Sequence, residues 1–415
     1  DLSGTGTISL QANATLDLDG HSLSSSLSEK LDLNADATKG PAIIGNGTIE
    51  GTIHVPLGKK LTLLPGTSVT NSIMLDGNSA RLDLGGNTFK LDGIPGNLIA
   101  FNNEHASMSL VVSNGTLEFR ANCELLQLNL DMHSGTTLNL QGRIFSCDKV
   151  VASGNVSLGN GKLLGVVEIT EDSKLTLCGY LAGVSQGATY IGMDNVAVTN
   201  NATLDLNGHA IYKPVILNGP NTTVGNGTID NKRLSLLAGY KLTLLANTSI
   251  TGDIRLNDNS TLDLGGNTFH VDGEDGNKIT LDNAAPIYSL SIGNGTLDGN
   301  LEMKEGQTIT LCGNLGGTDA ISMATGSELK LGSHTLSKDV TLTGSATVTA
   351  EHTTIKSLNA DKKGLLQKLS VSDGLIAGTD RQTSLADGLD ISRMGYDLTL
   401  ENLVLTANNS ISVGN

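Results

Sequence analysis

The sequence predicts an all-β chain, a right-handed parallel β-helix (β-solenoid) with rungs of about 20 residues. Three observations carry this. Leucine alternates with polar residues in short runs, as in TLDLDGH (Thr15 to His21), RLDLGGNTFKLDG (Arg81 to Gly93), TLDLNGH (Thr203 to His209) and TLDLGGNTFHVDG (Thr261 to Gly273). Such alternation marks a half-buried strand, and the Gly, Asn or Asp that ends each run marks a turn. The leading strand positions, from Leu16 through Leu61, Leu82, Leu204 and Leu262 to Leu329, recur on average about every 22 residues. Finally, the chain holds 51 Gly, no Trp and only 3% aromatic residues. Aromatic rings dominate ordinary cores, so this chain must fill its interior with thin aliphatic layers.

A hairpin meander would reverse after every strand and leave a period spanning two or three short strands unexplained. A coil of parallel strands explains it, with turns stacked about 4.8 Å apart and like residues above like. A leucine-rich-repeat horseshoe needs a helix or extended segment opposite each strand, and most units lack helical periodicity. The right hand follows the general rule for parallel crossovers.

From the N-terminus, the pattern begins at Ile8 and Leu10 and is expected to run over residues 1–349. A longer repeat lies upon it. GNGTIE at Gly45 returns as GNGTID at Gly225, and SNGTLE at Ser113 returns as GNGTLD at Gly293, each 180 residues on. Residues 43–118 therefore match 223–298. Gly183 to Val198 reads as an excursion from one rung. Residues 350–396 read as an irregular insertion, with a short helix over Asn359–Leu369 capped by Asn359. Residues 397–415, with DLTLENLVL at Asp397, read as a terminal rung. No convincing polar cap stands at either end, although solenoids usually need one.

The net charge is −16 and the pI about 4.8. Without Lys/Arg clusters, such a chain fits neither nucleic acid nor an anionic membrane. There is no apolar run of about 18 residues for a membrane span, and no basic-then-apolar leader. Cys123, Cys147, Cys178 and Cys312 form no CxxC and no zinc spacing. They read as small buried thiols, with a Cys123–Cys147 disulfide as the alternative.

Few motifs carry chemistry. Asp83, Asp205 and Asp263, between inward leucines, are expected to face solvent. A row of calcium ligands would need tandem GGxGxDxUx nonapeptides, which are missing. No Asp-Asp pair serves a pectinase-like groove, and Glu104-His105 and Glu351-His352 stand without a supporting motif. His21 and His209 occupy equivalent turn positions. GxxxxGK[ST] does not occur. Asn-x-Ser/Thr is frequent, at Asn13, Asn46, Asn114, Asn155, Asn201, Asn221, Asn226, Asn247, Asn259 and Asn294. These sites read first as bend chemistry and second as glycan acceptors.

At TLDLNGH, GNGTI and LDLGGNTF the chain resembles the repeat-rich passenger regions of bacterial autotransporters and related right-handed parallel β-helix surface proteins, over roughly Leu2 to Thr349. The resemblance implies an extracellular, non-enzymatic rod at the cell surface, with no cofactor. The leading expectation is a structural subunit of an extracellular fibre or surface layer, partnered by other copies of itself head-to-tail. Its edges would be Ile8, Leu10, Leu398, Leu400, Leu403 and Leu405, pairing by strand addition. The alternatives are an adhesin with a surface ligand or glycan on one of the two excursions, and, behind both, a polysaccharide-active enzyme.

Overall fold

The computed structural model describes residues 1–33, 39–76, 80–91, 96–101, 108–183, 194–230, 233–271, 276–281, 288–343, 345–351, 355–360, 365–372, 389–390, 399–401 and 411–412. It comprises two compact units, Asp1–Asn218 and Gly219–Asn415. Each is a parallel β-solenoid. Strands about 20 residues apart in sequence lie side by side and run the same way, as the alternation and period predict.

In the first unit Leu61 pairs with Leu82, and Leu82 with Val112. In the second, Leu242 pairs with Leu262, Leu262 with Ile292, and Ile292 with Leu311. All these side chains are at most 4% exposed. Burying each one contributes roughly 1.5–3 kcal/mol. The residue between two inward leucines points away, so Leu82 and Leu84 are buried while Asp83 is half-buried. Four phenylalanines, Phe89, Phe119, Phe145 and Phe269, are nonetheless fully buried. Phe119 and Phe145 meet with centroids 4.8 Å apart and planes tilted by 35°.

The corners are built from Asn, Thr and Gly. Asn87 Nδ2 donates to the carbonyls of Leu64 (2.8 Å) and Leu84 (2.6 Å), while its Oδ1 accepts from Thr67 N (3.0 Å). Asn267, 180 residues on, does the same with Leu245 (2.8 Å), Leu264 (2.6 Å) and Thr248 N (2.8 Å). Asn97 Oδ1 takes Val69 N at 2.7 Å, and Asn277 Oδ1 takes Ile250 N at 2.6 Å. Equivalent positions in the two units thus carry the same bonds. These amides supply the acceptors and donors that a buried bend takes out of the ladder.

Two expectations about local structure change. The short helix over Asn359–Leu369 is strand in its described parts, which belong to Ile355–Ala360 and Leu365–Ser372. Both lie in parallel ladders, on Leu336–Leu342 and Ser345–Glu351. Pairing to a preceding rung outweighs a helical preference that Gly364 already weakens; residues 361–364 lie outside the described set. Conversely, one helix of a single turn, Ser25–Ser28, forms where no helix is expected. It buries Leu27 and Ser28. Ser28 Oγ donates to Ser25 O and Glu50 O.

Candidate functional site

Among the expected edge residues, Ile8 and Leu10 lie in the strand Ile8–Leu10, with Ile8 half-buried and Leu10 6% exposed. Its ladder partner is Leu31–Leu33, with Ile8 opposite Leu31 and Leu10 opposite Leu33. Thr15–Asp17 likewise pairs with Ala42–Gly45. Among the described residues, neither strand has a ladder on its other side. The adjacent strand Ser22–Leu23 differs. Leu2 N donates to Ser22 O (2.7 Å), and Ser24 N donates to Leu2 O (3.0 Å). Ser26 Oγ and Lys30 Nζ reach back to the carbonyls of Gly4 and Thr5 at 2.7 and 2.8 Å. The first residues of the chain therefore occupy one strand edge of this rung. In the second unit Leu400 lies in Thr399–Glu401, opposite Val371. Leu398, Leu403 and Leu405 lie outside the described residues.

The recurring aspartates are turn caps. Asp17, Asp83, Asp205 and Asp263 each accept the backbone N–H two residues on, at 2.9–3.0 Å. Asp17 and Asp263 also accept the amides of Asn46 and Asn294, both at 2.8 Å. The Asp19 N–H, aided by Asn46, holds the Asp17 carboxyl below its ordinary range. Among the described residues no three His, Cys, Asp or Glu side chains gather as metal ligands. His21 and His209 each donate their backbone N–H to the residue three before, Leu18 O and Leu206 O, both at 2.8 Å. His334 does so with Leu331 at 3.1 Å. Glu104, His105 and His352 lie outside the described residues.

Eight of the ten sequons sit at such bends, while Asn155 and Asn221 open strands. Asn13, Asn46, Asn114, Asn201, Asn226, Asn247, Asn259 and Asn294 all have positive φ, between 50° and 63°. Asparagine tolerates that backbone better than most residues, which favours the bend reading of these positions.

The cysteines are free, and the disulfide alternative does not form. Cys147 is 3% exposed, and burial pushes its thiol up to about 12. Cys178 is exposed as a residue although burial of its thiol raises it too, and Cys312 is held up to about 11, chiefly by burial. The thiolate is the reactive form. A maleimide at pH 7.5 is expected to label Cys178 in the folded chain and to leave Cys147 unlabelled until denaturant is added. Native-state labelling of Cys147, mapped by peptide mass, would contradict the buried position.

Sequence reasoning passed over two side chains. Lys213 and Lys338 are both fully buried. Lys213 Nζ donates to Leu163 O (3.1 Å), Gly165 O (2.6 Å) and the Asp194 carboxylate. Lys338 Nζ donates to Leu297 O (2.7 Å), Gly299 O (2.9 Å) and Thr318 O. A signal existed. LDLNGHAIYK (Leu204 to Lys213) and LKLGSHTLSK (Leu329 to Lys338) place the lysine four residues after a bend histidine in both units.

One open groove of about 410 Å³ lies on the first unit. Thr70, Thr88, Lys90, Asn97, Glu118 and Arg120 are among its lining residues. The equivalent positions of the second unit hold Thr251, Thr268, His270, Asn277, Asp298 and Asn300. The backbone-fixing asparagine and the acidic position are kept, while Lys90 and Arg120 give way to His270 and Asn300. Of the two excursions named from sequence, residues 184–193 of the first lie outside the described set. The described parts of the second, within 350–396, are strand.

No protein-family model matches the chain, and neither the curated proteins nor the solved structures yield a match.

Proposed function

We propose that the protein is a structural subunit of an extracellular fibre or surface layer, assembling head-to-tail by strand addition at its rung edges. One observation supports it above the rest: the recurring aspartates and bend asparagines and the two buried lysines are committed to the rungs. Aspartates cap turns, asparagines stitch bends, and buried lysines hold carbonyls. The strands Ile8–Leu10 and Thr15–Asp17, each with one described ladder, are where a further parallel strand would add. The extracellular setting rests on the resemblance to autotransporter passenger regions.

Negative-stain electron microscopy over a concentration series tests this reading. Filaments whose abundance grows with concentration are the expected result. Leu400→Pro removes a ladder donor from Thr399–Glu401 and is expected to block elongation while leaving the β circular dichroism signal unchanged. Unbroken filaments from this variant, or short particles at every concentration of the parent, would defeat the proposal.

A second reading, an adhesin, is favoured by the Lys90–Glu118–Arg120 groove. Under it, binding to a surface ligand survives in dispersed monomers and is weakened by Arg120→Ala.

A further inference from the structure

Lys213 and Lys338 answer the same defect in two different units. In the first unit the strand Gly161–Ile169 carries its ladder to the next rung at Gly161 and Lys162, opposite Leu181 and Ala182. The ladder resumes only at Val167, opposite Val196. Among the described residues, Leu163 to Val166 face no strand on that side. In the second unit Gly295 and Thr296 pair with Leu315 and Gly316, and pairing returns at Leu301, opposite Ile321. Again a few residues, Leu297 to Asn300, lose their partners. Buried carbonyls in such a gap need donors.

The lysine supplies them. In each unit its ammonium takes the carbonyls of residues i and i+2 of the gap, Leu163 with Gly165 or Leu297 with Gly299. The third acceptor comes from the intervening rung, Asp194 in one case and Thr318 O in the other. An ammonium has three N–H donors and no acceptor, and three oxygens meet it. Glycine makes the approach of the backbone feasible: a Cβ on Gly165 would lie 2.1 Å from Cys147 O, and one on Gly317 would lie 2.1 Å from Leu297 O. Burial pulls Lys213 down to about 7, partly opposed by its coulombic coupling to Cys147. The Asp194 carboxylate opposes it too, since it prefers the ammonium to the amine.

We propose that these ladder gaps are cation cages lined by backbone oxygens, that Lys213 and Lys338 are tethered ammonium ions filling them, and that an emptied cage takes a free monovalent cation of the ammonium class. In the second cage the three carbonyl acceptors are neutral, and the Asp298 carboxylate is near enough to couple to the ammonium, so size, donor count and a neighbouring negative charge together set its selectivity. Its ligand is a small cation able to donate in three directions: ammonium or a primary alkylammonium fits, and tetramethylammonium, which has no N–H, does not.

The test uses the full chain carrying Lys338→Ala, with Lys338→Met as control. Both should melt roughly 10 °C below the parent, since three buried carbonyls lose a charged donor. Ammonium or propylammonium chloride should raise the Tm of Lys338→Ala by several degrees more than sodium or tetramethylammonium chloride of equal ionic strength. The parent should show no such difference, and Lys338→Met, whose side chain fills the cage without donors, should not be rescued. An equal response of parent and variant to all salts would overturn the proposal. So would a Lys338→Ala chain that fails to fold and gains no structure in any ammonium salt. In the parent, reductive methylation should modify the exposed amines and spare Lys213 and Lys338; modification of both in the folded state would also overturn it.

Discussion

Asn267→Ala is expected to destabilise the Gly219–Asn415 unit by about 2–3 kcal/mol. The side chain is 8% exposed and saturates three backbone groups at once: Leu245 O, Leu264 O and Thr248 N. Alanine orphans the Thr248 N–H, which costs about 1–3 kcal/mol, and takes one of two donors from Leu245 O and Leu264 O, which keep the Thr248 hydroxyl and the residue-267 N–H. The Thr248 hydroxyl also donates to Leu245 O at 2.5 Å and accepts Asn226 N at 2.9 Å, so the loss spreads to a second corner. Asn267→Asp should be nearly as damaging, because a carboxylate cannot donate to the two carbonyls. Chemical denaturation of parent and variants measures the difference. A loss below about 1 kcal/mol would show that the bend does not depend on this amide.

Gly265→Ala is expected to cost about 3 kcal/mol or more, while Gly266→Ala next to it costs only about 1 kcal/mol. Both glycines have positive φ, 58° and 81°, and that backbone alone costs an alanine roughly 1–2 kcal/mol. They differ in surroundings. A Cβ at Gly265 would stand 1.9 Å from Leu244 O, a backbone atom fixed in the preceding rung. At Gly266 a Cβ meets nothing within 4 Å. Moving Leu244 O would disturb its ladder and the buried leucine beside it. Equal losses from the two substitutions would mean that conformation, not rung spacing, sets the cost. Gly85 and Gly86 of the first unit repeat the pair, with Leu63 O at 1.9 Å from the added atom at Gly85.

The solenoid was legible because its signal is written many times. Each LDL run places two inward leucines around an outward aspartate, and a period-2 pattern repeated at a fixed spacing fixes both strand and stacking. The bends were legible in kind, through Asn-Gly and Gly-Gly. The particular partners of Asn87 and Asn267 were not, because an asparagine that bonds across rungs reads the same as one that faces water. The lysines were missed for a sharper reason. Sequence conventions put lysine on the surface, and nothing in AIYKPV or TLSKDV shows that the neighbouring rung has left three oxygens waiting. The misplaced helix at Asn359–Leu369 shows the opposite limit. A short charged stretch has a weak local preference, and a ladder to Ser345–Glu351 overrides it.

The left-handed asparagines have a consequence for how the protein ages. Asn-Gly is the dipeptide most prone to deamidate in a flexible chain, because the glycine nitrogen can swing onto the side-chain carbonyl carbon and close a succinimide. At Asn114, Asn160 and Asn294 that nitrogen is engaged elsewhere: Gly115 N donates to Gly135 O, Gly161 N to Tyr180 O and Gly295 N to Asn314 O, at 3.0–3.1 Å. The side chains of Asn160 and Asn294 are also anchored, on Asn139 and Asp263. Closing the ring would require breaking a rung apart. At these three corners the stacked rungs hold the asparagine away from its own chemistry, so slow deamidation there is an expected property of the stacking.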